Sequence, residues 1–598
     1  MNQKVKSAIL SLAILSLSAS SFTLHAAEKA VLQSRVAATD QVGFDVYLPL
    51  QHRDQLEIDL HNLHDPNSST YQKWLTPEQF HARYGATSSQ LTAIQNQLTT
   101  YGLQASIVTP QHIHVTGSAT SVEQALGTVL KHGIYPSGKT TIVAAQAIST
   151  PSTLSQVNAV VTGLSGTIRM RTHSHPAALP QNRYSATGGY FFDDLKQAYS
   201  YPSYKTYTGK GVTIGILMTG DFNPPDMTKY FTHEKLATPS YTTIQIDGGA
   251  PFSATGSFET HLDLQQSGGM APDAKVILYN LPDLSDAHIM DGLSQILADN
   301  KADVVSMSFG APELFYTAAY NDGTDYTYLF QEEDDLMAQG NAQGITFIAS
   351  SGDSGALSAF PVVCFNGGPD CGSAEASVQF PASSPHVTGV GGTNLITTYT
   401  GSTSDLNSTY IREEAYADPL SSDIFYGTSA TGSYWGSGGG DSILYKKPLF
   451  QGLVNTGNAK FRTVPDLALH MGGCPYGVIG TCNPDDSYDY EVIGDVYEGV
   501  IGTSASAPDF AGLTALNIQR QHTRLGNENY YIYTLALLQN IGLPIDVFKT
   551  NIPGYNGLYH TTPKGYNRVL GNGTLNGVNF LLAPFTPVAG VPQTPSNP

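Results

Sequence analysis

The chain has 598 residues, with 29 Lys and Arg against 49 Asp and Glu, for a formal charge of −20. That length suggests several folding units, and an acidic balance of this size argues against nucleic acid or an anionic membrane as a partner. Charged residues make up only 13% of the chain, about half the usual share, and 59 Gly and 34 Tyr help to fill the gap.

The N-terminus places Lys4 and Lys6 ahead of an apolar run from Ala8 to Leu17, followed by small residues ending at Ala26 and Ala27. This is the layout of a signal peptide over residues 1–27, and about ten apolar residues are too few to cross a bilayer. Export is therefore expected, and an extracellular location with it.

Residues 28–165 read as a small α+β domain. "FDVYLPL" alternates like a strand. "LTPEQFHARYG" offers Thr76 as N-cap, Pro77 at the first helical position, Gln79 to close a capping box and Gly85 as stop. Leu91, Ile94, Leu98 and Tyr101 recur at helical spacing, with Gly102 ending the run. A strand "HIHVTG" and a helix carrying Val122, Ala125 and Leu126 inward complete the pattern. Residues 166–189, rich in Ser, Thr, Pro and Gly, read as an exposed linker open to proteolysis.

From residue 190 apolar runs alternate with helical stretches: "VTIGILM", "KVILY", "DVVSMS", "ITFIASS" and "HVTGVGG". Continuous apolar strands imply burial on both faces, hence an α/β fold with a doubly wound parallel sheet over 190–585. The Pro-rich tail 586–598 reads as disordered. Four cysteines, Cys364 with Cys371 and Cys474 with Cys482, suit two short local disulfides in an exported chain.

Three stretches could carry chemistry. In "GSFETHLDLQQSGG", Glu259 and Asp263 share one face if the segment is a helix, with Ser257 placed to cap its start. "SSGDSG" puts Asp353 in a turn after an apolar strand, where doubly wound sheets line their ligand crevice. "GTSASAP" puts Ser504 at a turn ahead of a run that reads as a helix capped by Pro508.

Together with "DPNSSTYQKWLTPEQFHARYG", "FPASSPHVTGVGGT", "SGGGDS" and "VPDLAL", these stretches form a colinear set. The set resembles the sedolisin family, the serine-carboxyl peptidases, with an N-terminal pro-kumamolisin activation domain. The resemblance implies a subtilisin-like catalytic domain behind a small ferredoxin-like prodomain. It implies a self-processing zymogen that acts in acid on protein or peptide substrates, with its own prodomain as intramolecular inhibitor; a monomer is expected. It assigns Ser504 as nucleophile, Glu259 as base, Asp263 as its supporting carboxylate and Asp353 as oxyanion residue. The chemistry suits acid, because a histidine of ordinary pKa is neutral in only about 0.3% of molecules at pH 4. The family's calcium site is doubtful here, since Thr550 and Asn567 stand where two aspartates are usual, so no cofactor or metal is expected. Met218 and Phe309 replace a Glu and a Trp that lengthen the carboxylate relay in some members. Two alternatives stay open: a subtilisin-type hydrolase using a histidine such as His261, and an inactive exported binding protein of the same fold.

Overall fold

A computed structural model describes residues 27–177, 189–365, 371–402, 405–458, 460–480 and 485–583. The expected signal peptide, apart from Ala27, and the expected disordered tail lie outside these residues.

The prodomain is built on a four-stranded antiparallel sheet in the order Gln104–Thr109, His112–Ser118, Gln41–Tyr47, Val160–Thr162. With helices Ser88–Thr100 and Ala119–Leu126 between strands, this is the ferredoxin-like arrangement. The local reasons are those read in the sequence. Thr76 and Gln79 form the expected capping box, and Leu91, Ile94 and Leu98 face the core.

In the catalytic domain seven parallel strands follow the order Ser240–Gln245, Lys275–Leu281, Thr213–Thr219, Val304–Met307, Thr346–Ser350, Val387–Ser402, Leu467–His470. The strand order reverses between Thr213–Thr219 and Val304–Met307, and a crevice at the carboxyl ends is expected at such a point. Helices Phe258–Met270 and Thr503–Gln521 pack against each other, as do Asp286–Asp299 and Thr327–Ala342. The first pair is called below the acid helix and the serine helix.

The prodomain docks through Leu56, Leu60, Leu63, Leu75 and Phe80, which share a buried cluster with Ala338 and Ala342 of helix Thr327–Ala342. Beside it Arg53 donates to Asp334 (2.8 Å) and Asp335 (2.5 Å).

Two expectations need correction. Pro508 lies inside the serine helix rather than capping it, so Ser504 sits in the first turn. The stretch read as an exposed linker is in large part held down. Arg171–Thr172 pairs antiparallel with Phe309–Gly310, and His175–Pro176 pairs antiparallel with Val500–Ile501. His173 and Ser174 between them are buried. The remainder of that stretch, 178–188, lies outside the described residues. Cys364 and Cys371 form a disulfide, and Cys474 is also disulfide-bonded, while Cys482 lies outside the described residues.

Candidate active site

Glu259 lies in the first turn of the acid helix and Asp263 one turn on, both fully enclosed. Ser257 holds the N-cap position but makes no capping bond; its hydroxyl accepts from the amide of Ser253 instead (3.2 Å). The acid helix meets the serine helix where Gly512 faces Met270, a contact that leaves no room for a side chain at 512. That crossing brings the carboxylates to the start of the serine helix.

Ser308 links the two helices. Its hydroxyl donates to Asp263 Oδ1 at 2.6 Å and lies 3.4 Å from the Ser504 carbonyl oxygen. Asp353 follows strand Thr346–Ser350, and its Oδ1 accepts from both the amide (2.8 Å) and the hydroxyl (2.7 Å) of Thr503. Gly502, at φ 139°, occupies backbone space that other residues rarely enter. A Cβ there would lie 2.7 Å from Asp353 Oδ2 and would collide with the His173 carbonyl oxygen. Asp353 Oδ2 and that oxygen therefore converge on one small space.

The four residues singled out in the sequence thus form one cluster. Three of their oxygens, Glu259 Oε1, Asp263 Oδ2 and Asp353 Oδ2, are buried with no hydrogen-bond partner among the described residues. Burial raises the Glu259 carboxyl well above its ordinary value, Asp263 adds like charge, and the Ser174 and Ser504 hydroxyls ease the shift. Burial raises Asp263 well above its ordinary value too, against the Ser308 hydrogen bond. It pushes Asp353 up to about 8, against its bonds from Thr503. A carboxyl of that kind is a neutral hydrogen-bond donor at acid and neutral pH.

Sequence reasoning missed several participants. Ser308 could have been found, because it directly follows the strand Val304–Met307 at its carboxyl end. Ser174, whose hydroxyl donates to Glu259 Oε2, could not, because it is brought in from the segment before the domain. Glu491 also escaped: it is fully buried, and burial and the Glu259 charge raise it well above its ordinary value.

His261, the alternative base, faces elsewhere. Its Nε2 accepts from the Asn223 amide (3.3 Å), and its Nδ1 donates to the Ser257 carbonyl (2.9 Å). Both ring nitrogens are thereby engaged away from Ser504.

Comparisons with known proteins divide the chain in the same way as the fold does. The model of the pro-kumamolisin activation domain matches residues 28–167, and that of the subtilase family matches 248–541. The chain is 28% identical over 559 residues to sedolisin of Pseudomonas sp. (strain 101), covering 90% of this chain and 86% of that protein. It is 26% identical over 589 residues to kumamolisin of Bacillus sp. (strain MN-32), covering 93% and 94%. The structure of Pseudomonas sedolisin, a serine-carboxyl proteinase complexed with two molecules of pseudo-iodotyrostatin, superimposes with a TM-score of 0.52. It shares 26% identity and covers 66% of this chain and 98% of its own. The chain belongs to the sedolisin family of serine-carboxyl peptidases. It is a serine peptidase with an activation prodomain and a subtilisin-like fold, as the resemblance implied.

The family's calcium site fits this chain poorly. The Thr550 hydroxyl donates to the Pro563 carbonyl (3.1 Å), and Asn567 Oδ1 accepts from the amides of Val569 and Leu570, both at 3.0 Å. With that oxygen engaged twice and no carboxylate at either position, the donor set does not suit a hard dication. Among the described residues, the group able to hold an ion is Asp45, His112 and Asp291, far from Ser504 in the sequence and at the prodomain contact. No helix among the described residues is long and apolar enough to cross a membrane.

Proposed function

We propose that this protein is an exported, acid-acting endopeptidase zymogen that removes its own prodomain. Ser504 is the nucleophile, Glu259 its general base, Asp263 the carboxylate that supports the base, and Asp353 the oxyanion donor. The observation that carries this reading is the position of a peptide carbonyl in the cluster. The Ser504 amide donates to the His173 oxygen at 3.1 Å, and the unpartnered Asp353 Oδ2 faces the same space. The Ser504 amide is one donor on that oxygen, and a protonated Asp353 nearby would supply the second that acyl transfer requires.

The electrostatics suit acid. Glu259 and Asp263 share protons as a pair, so over part of the acid range one negative charge remains to accept the proton from Ser504. As pH rises toward 8 Asp353 ionises, and a donor becomes an anion beside the developing oxyanion. Burial is the main cause of its raised value, so removal of the segment over the cleft should bring that limit down further into acid. Until then the segment fills the cleft, which makes the prodomain an intramolecular inhibitor.

The test is a time course at pH 4 on the full chain. Wild type is expected to lose its prodomain and then to cleave peptides, while Ser504→Ala stays intact and inert. Processing by the Ser504→Ala variant at the wild-type rate would sink the reading.

A further inference from the structure

The segment joining prodomain and catalytic domain lies in the cleft as a substrate would. Its first half, Arg171–Thr172, forms an antiparallel pair with Gly310 and Phe309, and its second half, His175–Pro176, with Ile501 and Val500. Between them the His173 amide donates to the Ser308 carbonyl (3.2 Å), and the His173 carbonyl accepts from the Ser504 amide (3.1 Å). On the far side of that carbonyl the Ser174 hydroxyl reaches Glu259. The backbone is thus fixed on both sides of one peptide bond, with the Ser504 amide on its oxygen and Glu259 bonded to the hydroxyl of the residue that supplies the leaving nitrogen.

The His173 side chain fills a closed pocket. It is 4% exposed, with Nε2 donating to Gln379 Oε1 at 2.6 Å and Nδ1 accepting from the Ser350 hydroxyl at 2.7 Å. The pocket exists because position 310 is glycine: a Cβ there would stand 2.7 Å from His173 Cε1. Its two polar groups match a neutral imidazole, and burial lowers the His173 pKa to about 4, so that form predominates above about pH 4. An aliphatic side chain in the same place would leave the Gln379 oxygen and the Ser350 hydroxyl buried without partners.

We infer that His173–Ser174 is the first bond this enzyme cleaves in itself, and that Gln379 and Ser350 make its primary specificity pocket selective for histidine on the acyl side of the cut. The inference rests on the catalytic reading above. Ser504 Oγ adds to the His173 carbonyl carbon as its proton passes to Glu259. The C–N bond then breaks, and Glu259 returns that proton to the departing Ser174 amine. Water hydrolyses the resulting His173 ester, freeing the carboxyl group and restoring the Ser504 hydroxyl. The new chain begins Ser-His-Pro-Ala-Ala.

Two measurements on the full-length protein test this. In the first, the earliest products at pH 4 are sequenced and weighed. A chain starting at Ser174 and a released segment ending at His173 are expected, with His173→Leu slowing that cut roughly tenfold or more. In the second, the processed wild-type enzyme is given two peptides that differ only in His or Leu before the scissile bond. The histidine peptide should lead by roughly tenfold or more in kcat/KM, and Gln379→Leu should erase or reverse that lead. A first cut at another bond, or kcat/KM values within about twofold for the two peptides, would overturn the inference while leaving Ser504 catalysis standing. Peptide cleavage undiminished in Ser504→Ala would instead remove the catalytic reading and this inference together. Should Gln379→Leu fail to fold, the wild-type peptide pair still decides.

Discussion

Two sets of buried carboxylates in this protein experience opposite electrostatics. At the catalytic cluster Glu259, Asp263 and Asp353 are enclosed with no cation among the influences on them, and burial raises all three. At the prodomain contact Asp334 is just as enclosed, yet it touches Arg53 and His386, each at 2.8 Å. Burial would raise Asp334 as well, but His386 and Arg53 outweigh it and hold the group below its ordinary value. Burial alone therefore does not set the direction of a shift; its balance with neighbouring charge does, and Asp335, beside the same Arg53 but next to the Asp334 charge, stays raised. The catalytic cluster binds its protons more tightly than free carboxylates do, whereas Asp334 stays charged further into acid.

The largest effect should come from removing the proposed nucleophile. Ser504→Ala is expected to lower kcat by roughly 10⁶, measured on peptides at pH 4, with the prodomain left attached. Such a variant also allows the closed state to be examined without self-cleavage.

Next comes the proposed oxyanion donor. Asp353→Ala should lower kcat by roughly 10² to 10³. Asp353→Asn keeps a neutral donor at every pH, so it should retain more activity than the alanine variant. It should also lose the alkaline limb expected of wild type at or below about pH 8. An unchanged limb in the asparagine variant would place the titrating group elsewhere.

The Arg53–Asp334 contact, a latch between prodomain and catalytic domain, acts on docking rather than on turnover and has its own pH signature. Asp334 binds its proton more weakly folded than unfolded, so its contribution is present above the ordinary carboxylate value and is lost only as pH falls through its lowered value. His386 is raised to about 9 by Asp334 and Glu57 against burial, so its contribution is complete below about 6.5 and lost as pH rises through about 9. The contact therefore persists at pH 4, and acid alone should not release the prodomain from Ser504→Ala. Arg53→Met in that background removes the cation from Asp334 and should weaken docking by about 3 to 5 kcal/mol, read as faster prodomain digestion by an added protease.

The catalytic carboxylates add the opposite dependence. Asp353 binds its proton more tightly folded than unfolded, so it favours the closed state fully below about 4 and progressively less as pH rises to about 8. Melting of the Ser504→Ala zymogen should accordingly be higher at pH 5 than at pH 8. The smallest effect is expected from a chelator, which should leave activity and melting unchanged because the loop at Thr550 and Asn567 is held by hydrogen bonds.

Much of this was legible in the sequence because it depends on short-range pattern. The capping box at Thr76, the helical spacing of Leu91, Ile94 and Leu98, and the one-turn separation of Glu259 and Asp263 are properties of single elements. Asp353 and Ser504 were found because each sits at a glycine-marked turn after a strand. The segment around His173 was misread for the converse reason. Its Ser, Thr and Pro favour no element locally, and its order comes from pairing with residues near 310 and 500. The latch was invisible for the same cause, since Arg53 and Asp334 lie 281 positions apart.

The central claim is that a carboxylate does here what a histidine does in other serine peptidases. It is tested most directly by the rate of prodomain removal at pH 4 in Glu259→Gln, an isosteric change that keeps the side chain's size and removes its basicity. The account predicts a loss of at least about 10³-fold, in line with the loss of a general base. Removal at the wild-type rate would contradict it and send the search for the base to another residue.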